Sequence, residues 1–270
     1  PERVVIGAET KSAFLKLEQI ITLMKCPRIK MNIASAEITK HALNSFLATS
    51  LSFIYNISDV CEIAGGDVTD VAKALRSDSR IGQAAYLDSS LGFSGGTLMR
   101  DLQTLSGLAK EHKKQLAVID GVLQTNINRR KTLLDRLRVL LKIPFHKASI
   151  GILGITYKPG TPTLRRSLAL ELIAMLREEK ARIQAFDPQA KEAEFKKETG
   201  LSLSKTAAEA ARGCHALLLV TPWPEFDNLP VKKILKVMVP PYLFFDTRNF
   251  LKSQEKEIKE AGFLYCGIGR

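Results

Sequence analysis

A change of hydrophobic period at Pro144 constrains this chain more than any other feature of its sequence. Before it, apolar residues recur every three or four positions over long stretches. After it, short apolar runs alternate with short helical patterns. The longest helical signal, Ser35–Ile63, is carried by Ala36, Ala42, Leu43, Phe46, Leu47, Leu51, Phe53, Ile54, Ile57 and Val60. Gly65-Gly66 stops it, as glycine does at a helix C-terminus. Helices are also expected over Lys11–Met24, Asp67–Leu75, Leu98–Glu111 and Ala117–Leu141, so the first half reads as all-helical after one opening strand, Val4–Gly7. Residues 82–96 hold Ser89-Ser90, Gly92 and Gly95-Gly96 with no sustained period, and read as a loop.

Beyond Pro144, apolar runs at Ala148–Leu153, Arg182–Phe186, Ala216–Val220, Leu243–Phe245 and Phe263–Cys266 alternate with helical patterns at Ser167–Glu178, Lys191–Glu198, Lys205–Arg212, Val231–Val237 and Glu255–Ala261. Strands and helices alternating at this spacing require right-handed crossovers and a parallel, doubly wound sheet. The expected class is therefore α/β, an all-helical unit followed by a parallel-sheet unit, with the boundary near residues 142–147. A length of 270 residues agrees with two domains.

The chain carries 40 basic and 28 acidic residues, a net charge of +12. The excess is spread evenly, 21 against 14 up to residue 150 and 19 against 14 after it. Without a basic tail or an aromatic-interleaved stripe, this is a solvated basic surface with room for a small anionic ligand, and no nucleic-acid partner is expected. No apolar run reaches the roughly 18 residues of a membrane span, so no membrane partner is expected. Cys26, Cys61, Cys214 and Cys266 lie too far apart in sequence for a zinc pattern, and no metal is expected. Cys61 and Cys214 in apolar surroundings read as buried free thiols, which suits the cytoplasm. The start at Pro1 is abrupt, with a strand at once and no signal peptide, and reads as part of a longer chain.

Three clusters combine polar residues with glycine. In Glu37-Ile38-Thr39-Lys40-His41-Ala42-Leu43-Asn44, Lys40 and Asn44 are four apart and share a helix face. An ammonium and a carboxamide together can hold a sugar hydroxyl and a developing oxyanion, or simply form a solvated face. In the second, Asp78-Ser79-Arg80-Ile81-Gly82 precedes Gly92-Phe93-Ser94-Gly95-Gly96-Thr97, which feeds a helix containing Asp101. Backbone N–H groups there can approach an anion, while Thr97 can equally be an ordinary N-cap. The third, Thr156-Tyr157-Lys158-Pro159-Gly160-Thr161 with Leu164-Arg165-Arg166-Ser167, follows the first strand of the sheet, outside whose carboxyl end ligands of such folds bind. Its cations suit a diphosphate. Gly151 and Gly154 are a weak fragment of a dinucleotide pattern, and Asp187 at the next strand end is a weak ribose signal.

Together these clusters, with Thr221-Pro222-Trp223-Pro224-Glu225-Phe226, Asp246-Thr247-Arg248-Asn249 and the opening Pro1–Gly7, resemble the UDP-glucose/GDP-mannose dehydrogenase family over nearly the whole chain and in order. The resemblance implies three parts, of which an N-terminal Rossmann domain for NAD would be absent here. Residues 1–25 would be the end of that domain or a linker, 26–146 the helical central domain that dimerises, and 147–270 a Rossmann-like domain for the nucleotide sugar. It implies oxidation of a sugar alcohol with NAD as hydride acceptor, through a loop cysteine that holds a thioester.

Carried over by position, the resemblance makes Lys40, Asn44 and Asp101 catalytic and gives Arg80, Phe93, Gly95, Tyr157, Lys158 and Arg248 to the substrate, Arg80 across a homodimer. Arg165 would meet the NAD pyrophosphate. Asn126 with Arg129-Arg130 matches a family helix and receives no role. The family cysteine falls on Thr97, Ser94 replaces a glycine, Gly96 a serine and Arg100 a lysine. A threonine hydroxyl is a poor nucleophile beside a thiol. The intact protein would then stop at the aldehyde, finish through an aldehyde hydrate, or bind nucleotide sugar without turnover. This chain alone is expected to be inactive with NAD.

Overall fold

In the computed structural model, which describes residues 1–94 and 96–270, the change of period at Pro144 separates two architectures. Five helices build the first: α1 (Lys11–Ile20), α2 (Ile33–Ala64), α3 (Val68–Ser77), α4 (Leu98–Glu111) and α5 (Ala117–Leu141). The 32-residue α2, about 48 Å long at 1.5 Å per residue, is the axis on which α4 and α5 pack. The Asn32 side chain caps its start by accepting from Ser35 N, and Gly65 ends it in the left-handed region. Ala48, Ile54 and Tyr55 of α2 meet Leu102 of α4 and Val122 of α5 in a buried core.

The first half is not all-helical after its opening strand. Strand β1 (Val4–Gly7) pairs in parallel with a second strand, β2 (Arg28–Met31). The sequence Arg-Ile-Lys-Met concealed β2 because it is exposed along most of its length and has one partner only. It therefore lacks the apolar alternation that a half-buried strand shows. Helix α1 also ends at Ile20, short of the expected Met24.

The second half is the expected doubly wound sheet: β3 (Ser149–Leu153), α6 (Leu168–Glu178), β4 (Arg182–Phe186), α7 (Glu192–Thr199), α8 (Ala207–Ala210), β5 (Ala216–Leu219), α9 (Val231–Leu235), β6 (Leu243–Asp246), α10 (Glu255–Glu260) and β7 (Leu264–Gly267). All neighbours are parallel, in the order β4-β3-β5-β6-β7. Every residue of β3, β5 and β6 is buried, because helices cover both faces. Alternate residues feed alternate cores. Ala216, Leu218, Leu243 and Phe245 pack with α6, while Leu217, Leu219 and Phe244 pack with α8 and α9.

That strand order fixes where a ligand can sit. The chain leaves β3 toward β4 on one side and later returns to place β5 on the other. The connections beyond the carboxyl ends of β3 and β5 therefore diverge and leave a crevice. Gly154, just after β3, has φ +79°, and a Cβ there would lie 2.1 Å from the Thr221 carbonyl oxygen. Close approach to the segment leaving β5 is what this glycine permits, which accounts for it without any dinucleotide pattern.

Candidate functional site

A cleft of about 330 Å³ opens at that switch point, between the two halves. The sheet half contributes Thr156, Tyr157 and Lys158 after β3, Thr221 after β5, and Thr247 and Arg248 after β6. The helical half contributes Leu51 and Tyr55 of α2, and Tyr86, Asp88 and residues 90–94 of the loop. The volume lies at the small end of the range for ligand sites, ~300–1,000 Å³.

Buried carboxylates shape the sheet side. Asp246 ends β6 fully buried. One oxygen accepts from Arg248 N at 2.9 Å, the other from Leu251 N at 2.7 Å and Tyr265 Oη at 3.0 Å. Burial, and then the charge of Asp246, push the Tyr265 hydroxyl well above its usual value, so it stays a neutral donor. The turn thus fixed carries Arg248 into the cleft. Asp187 does the same for the neighbouring segment. One oxygen accepts from Ile155 N at 2.7 Å and from Thr156 N, Thr156 Oγ1 and Trp223 Nε1 at 3.0 Å each. The other accepts from Gln189 N at 2.9 Å and Ala190 N at 3.0 Å. With these donors on both oxygens Asp187 is an organiser of the loops, and the ribose signal read from the sequence is not needed to explain it.

A second polar cluster lies on the helical half. Lys40 Nζ donates to Asp101 Oδ2 at 2.6 Å, and Asn44 Nδ2 donates to the same oxygen. Lys40 and Asn44 meet Asp101 because α2 and α4 pack side by side. His41 Nδ1 stands 3.2 Å from Asp101 Oδ1 and Arg100 Nε 3.5 Å, neither aligned as a hydrogen bond. Burial alone would raise the Asp101 carboxyl. The hydrogen bonds from Lys40 and Asn44 and the Lys40 charge overcome it and hold the group at about 2.

The residues expected from the sequence fall in three places. Phe93, Tyr157, Lys158 and Arg248 line the cleft. Lys40, Asn44 and Asp101 form the α2–α4 cluster and do not line it. Arg80 does not line it, being exposed and paired with Asp78 at 2.7 Å, and Arg165 is exposed and does not line it either. Thr97 is the N-cap residue of α4, yet its hydroxyl makes no capping bond. It lies one turn before Asp101, whose N–H donates to the Thr97 carbonyl at 3.1 Å. Gly95 lies outside the described residues. Cys61 and Cys214 are buried and unpaired.

Sequence reasoning left Asn126, Arg129 and Arg130 without a role. All three are buried on α5 against the loop. The available signal was three strongly polar residues among Val122, Leu133 and Leu137 on an otherwise apolar helix face.

The family model for the central domain of the UDP-glucose/GDP-mannose dehydrogenase family matches residues 34–128, and the model for that family's UDP binding domain matches 151–253. The UDP-glucose 6-dehydrogenase TuaD of Bacillus subtilis is 33% identical over 270 residues, all of this chain and 58% of the relative. A UDP-glucose 6-dehydrogenase of Rickettsia conorii is 30% identical over 272 residues, all of this chain and 62% of the relative. The chain thus spans about three fifths of the length of these curated relatives. A UDP-glucose dehydrogenase from Pyrobaculum islandicum superposes with TM-score 0.84 at 25% identity, over all of this chain and 59% of the other. An NDP-N-acetyl-D-galactosaminuronic acid dehydrogenase from Methanosarcina mazei shares the fold, with TM-score 0.86 at 20% identity over 98% and 57%.

Proposed function

The chain belongs to the UDP-glucose/GDP-mannose dehydrogenase family, and from that premise we propose that it supplies the nucleotide-sugar side of a cytoplasmic, NAD-dependent nucleotide-sugar dehydrogenase. The observation that carries this reading is the switch-point cleft with Lys158 and Arg248 on its walls. Two cations in a partly enclosed crevice suit a diphosphate, and Tyr86 and Tyr157 offer ring faces for a base. Residues 147–270 then hold the nucleotide, 26–146 carry the sugar-facing chemistry, and 1–25 link to a further domain. The buried free thiols suit a reducing compartment.

The α2–α4 cluster supplies the polar groups for chemistry. An ammonium has three donors, so Lys40 can keep Asp101 and still meet a sugar oxygen, and Asn44 adds an amide donor. Asp101 stays ionised at any physiological pH. Its Oδ1, buried and without an aligned donor, is free to orient a water. NAD, when bound, accepts the hydride from the sugar carbinol. In this reading Arg165, an exposed guanidinium, would meet the NAD pyrophosphate. The rest of the NAD site is assigned to the further domain. Thr97 offers a neutral hydroxyl where a thiolate would be needed for a thioester, so oxidation stops at the aldehyde or proceeds through its hydrate. The same threonine favours a second reading, a nucleotide-sugar-binding module without turnover.

A homodimer through the central helices fits a row on α2. Phe46, Phe53 and Val60 lie seven apart on one face and are 71%, 50% and 57% exposed. Arg80, exposed and not among the residues lining its own cleft, is then available to the partner's.

Calorimetric titration of the chain with UDP and a UDP-sugar tests the cleft. Binding is expected, weakened about tenfold by Lys158→Ala and by Arg248→Ala, as the loss of one charge-assisted bond implies. No binding at millimolar ligand overturns the reading. Counting NADH per sugar in the complete protein separates one hydride, two hydrides and no turnover.

A further inference from the structure

Asn126 sits in the middle of α5 with no exposed surface. Its Oδ1 accepts from Phe93 N at 2.8 Å and its Nδ2 donates to Phe93 O at 2.9 Å. One side-chain amide thus satisfies both backbone groups of one loop residue, as a neighbouring strand would. Only this orientation of the amide works, since the flipped one sets donor against donor and acceptor against acceptor.

The amide is held in turn. Arg130 Nη1 donates to the Asn126 backbone carbonyl at 3.2 Å, which ties down the helix turn that carries the amide, and its Nε lies 2.9 Å from Glu171 of α6 in the sheet half. Arg129 Nε donates to Ser90 O at 3.2 Å, and its guanidinium pairs with Asp59 of α2. The loop is shaped to receive the amide. Gly92 has φ +117°, and a Cβ there would stand 2.5 Å from Asn126 Oδ1.

We propose that Asn126 is a positioning residue that fixes the Gly92–Phe93 backbone as the sugar-facing wall of the cleft. The proposal rests on the nucleotide-sugar reading above. The nucleotide's charges are met by Lys158 and Arg248, which hang on the sheet half and do not depend on Asn126. The helical half's wall is the loop that leads into Thr97 and Asp101, which in that reading is the side of the reacting sugar. Asn126 therefore acts on the sugar and leaves the nucleotide alone. A side chain that only stabilised the fold would act on both or on neither.

The experiment is a pair of titrations, UDP and UDP-glucose, on the wild-type chain and on Asn126→Ala, at a temperature where denaturant unfolding shows both folded. The ratio of the two affinities is the readout. The expected result is a fall of fivefold or more in that ratio with UDP binding changed less than twofold. Leu141→Ala, which deletes a buried apolar group at the far end of the same helix, is expected to lower stability and leave the ratio unchanged. Should Asn126→Ala not fold, Gly92→Ala displaces the same amide and is expected to give the same fall.

An unchanged ratio in every folded loop variant overturns the proposal, as does an equal fall for Leu141→Ala. Equal affinity of the wild type for UDP and UDP-glucose overturns it while leaving the cleft a nucleotide site. Failure of the wild type to bind either ligand overturns the cleft reading and the proposal together.

Discussion

The two halves of this chain differ in how completely each satisfies itself. The sheet half buries β3, β5 and β6 at every residue, packs one face with α8 and α9 and the other with α6 together with Leu133, Leu134, Leu137 and Leu141 of α5, and closes its key turns with Asp187 and Asp246. The helical half packs a smaller core and leaves Ile20, Leu23, Phe46, Phe53, Val60 and Ile63 largely exposed. Exposed apolar side chains along one helix face, as in the Phe46, Phe53 and Val60 row of α2, fit the proposal that this face meets another surface. The difference teaches that the sheet half has its apolar faces covered within this chain, in part by α5, whereas the helical half is expected to reach its full stability only on assembly.

The harshest test of that contrast is Asp187→Ala. It orphans buried donors on three separate segments, and a loss of more than about 3 kcal/mol is expected from urea unfolding. A loss under about 1 kcal/mol would remove the claim that the sheet half depends on its internal carboxylates.

Phe53→Glu addresses the other side. A charge in the middle of the α2 row is expected to weaken self-association at least a hundredfold in sedimentation equilibrium, about 2.7 kcal/mol. Far-ultraviolet circular dichroism is expected to stay unchanged, because Phe53 is half-exposed within one chain. If association survives unaltered, the interface lies elsewhere.

Acid sharpens the comparison further. Asp67 and Asp101, both on the helical half, are held at about 2, below the ordinary 3.8. In each, burial opposes hydrogen bonds that win: from Thr69 and Lys252 at Asp67, from Lys40 and Asn44 at Asp101. A carboxyl with a lowered native value contributes stability above its unfolded value and loses it as pH falls through the native one. The loss therefore falls between about pH 4 and pH 2. For Asp101 it should amount to roughly 1–2 kcal/mol after allowing for solvent screening. Asp101→Asn is expected to flatten that part of the stability-versus-pH curve, and an unchanged curve refutes the assignment.

The smallest effect is expected at Thr97→Ala. Its hydroxyl makes no capping bond, so stability should move by less than about 0.5 kcal/mol. A larger loss would mean that the hydroxyl is structural, and would weaken its placement at the reacting centre.

Local pattern made much of this legible. The alternation after Pro144 gave the parallel sheet, because a buried strand must be apolar throughout and a crossover helix must follow it. Spacing gave Lys40 and Asn44 as one face, since four residues make about one helical turn. What local pattern missed is β2, whose exposed Arg-Ile-Lys-Met has no period to detect. It also left Asn126 without a role, because its partner Phe93 is 33 residues away and is met through backbone atoms that every residue shares. Asp187 is ambiguous for the same reason: an acid at a strand end has one appearance in sequence whether it meets a ribose or a set of backbone N–H groups.

The sequence by itself determined the alternation of strands and helices in the sheet half and the change of period near Pro144. These follow from the periods of the chain and from residue identity. Tertiary structure alone decided that Lys40 and Asn44 close on Asp101, that the cleft is lined from both halves, and that the loop forming one of its walls hangs on the Asn126 amide. Those are contacts between atoms distant in the chain, and packing is what brings them within reach.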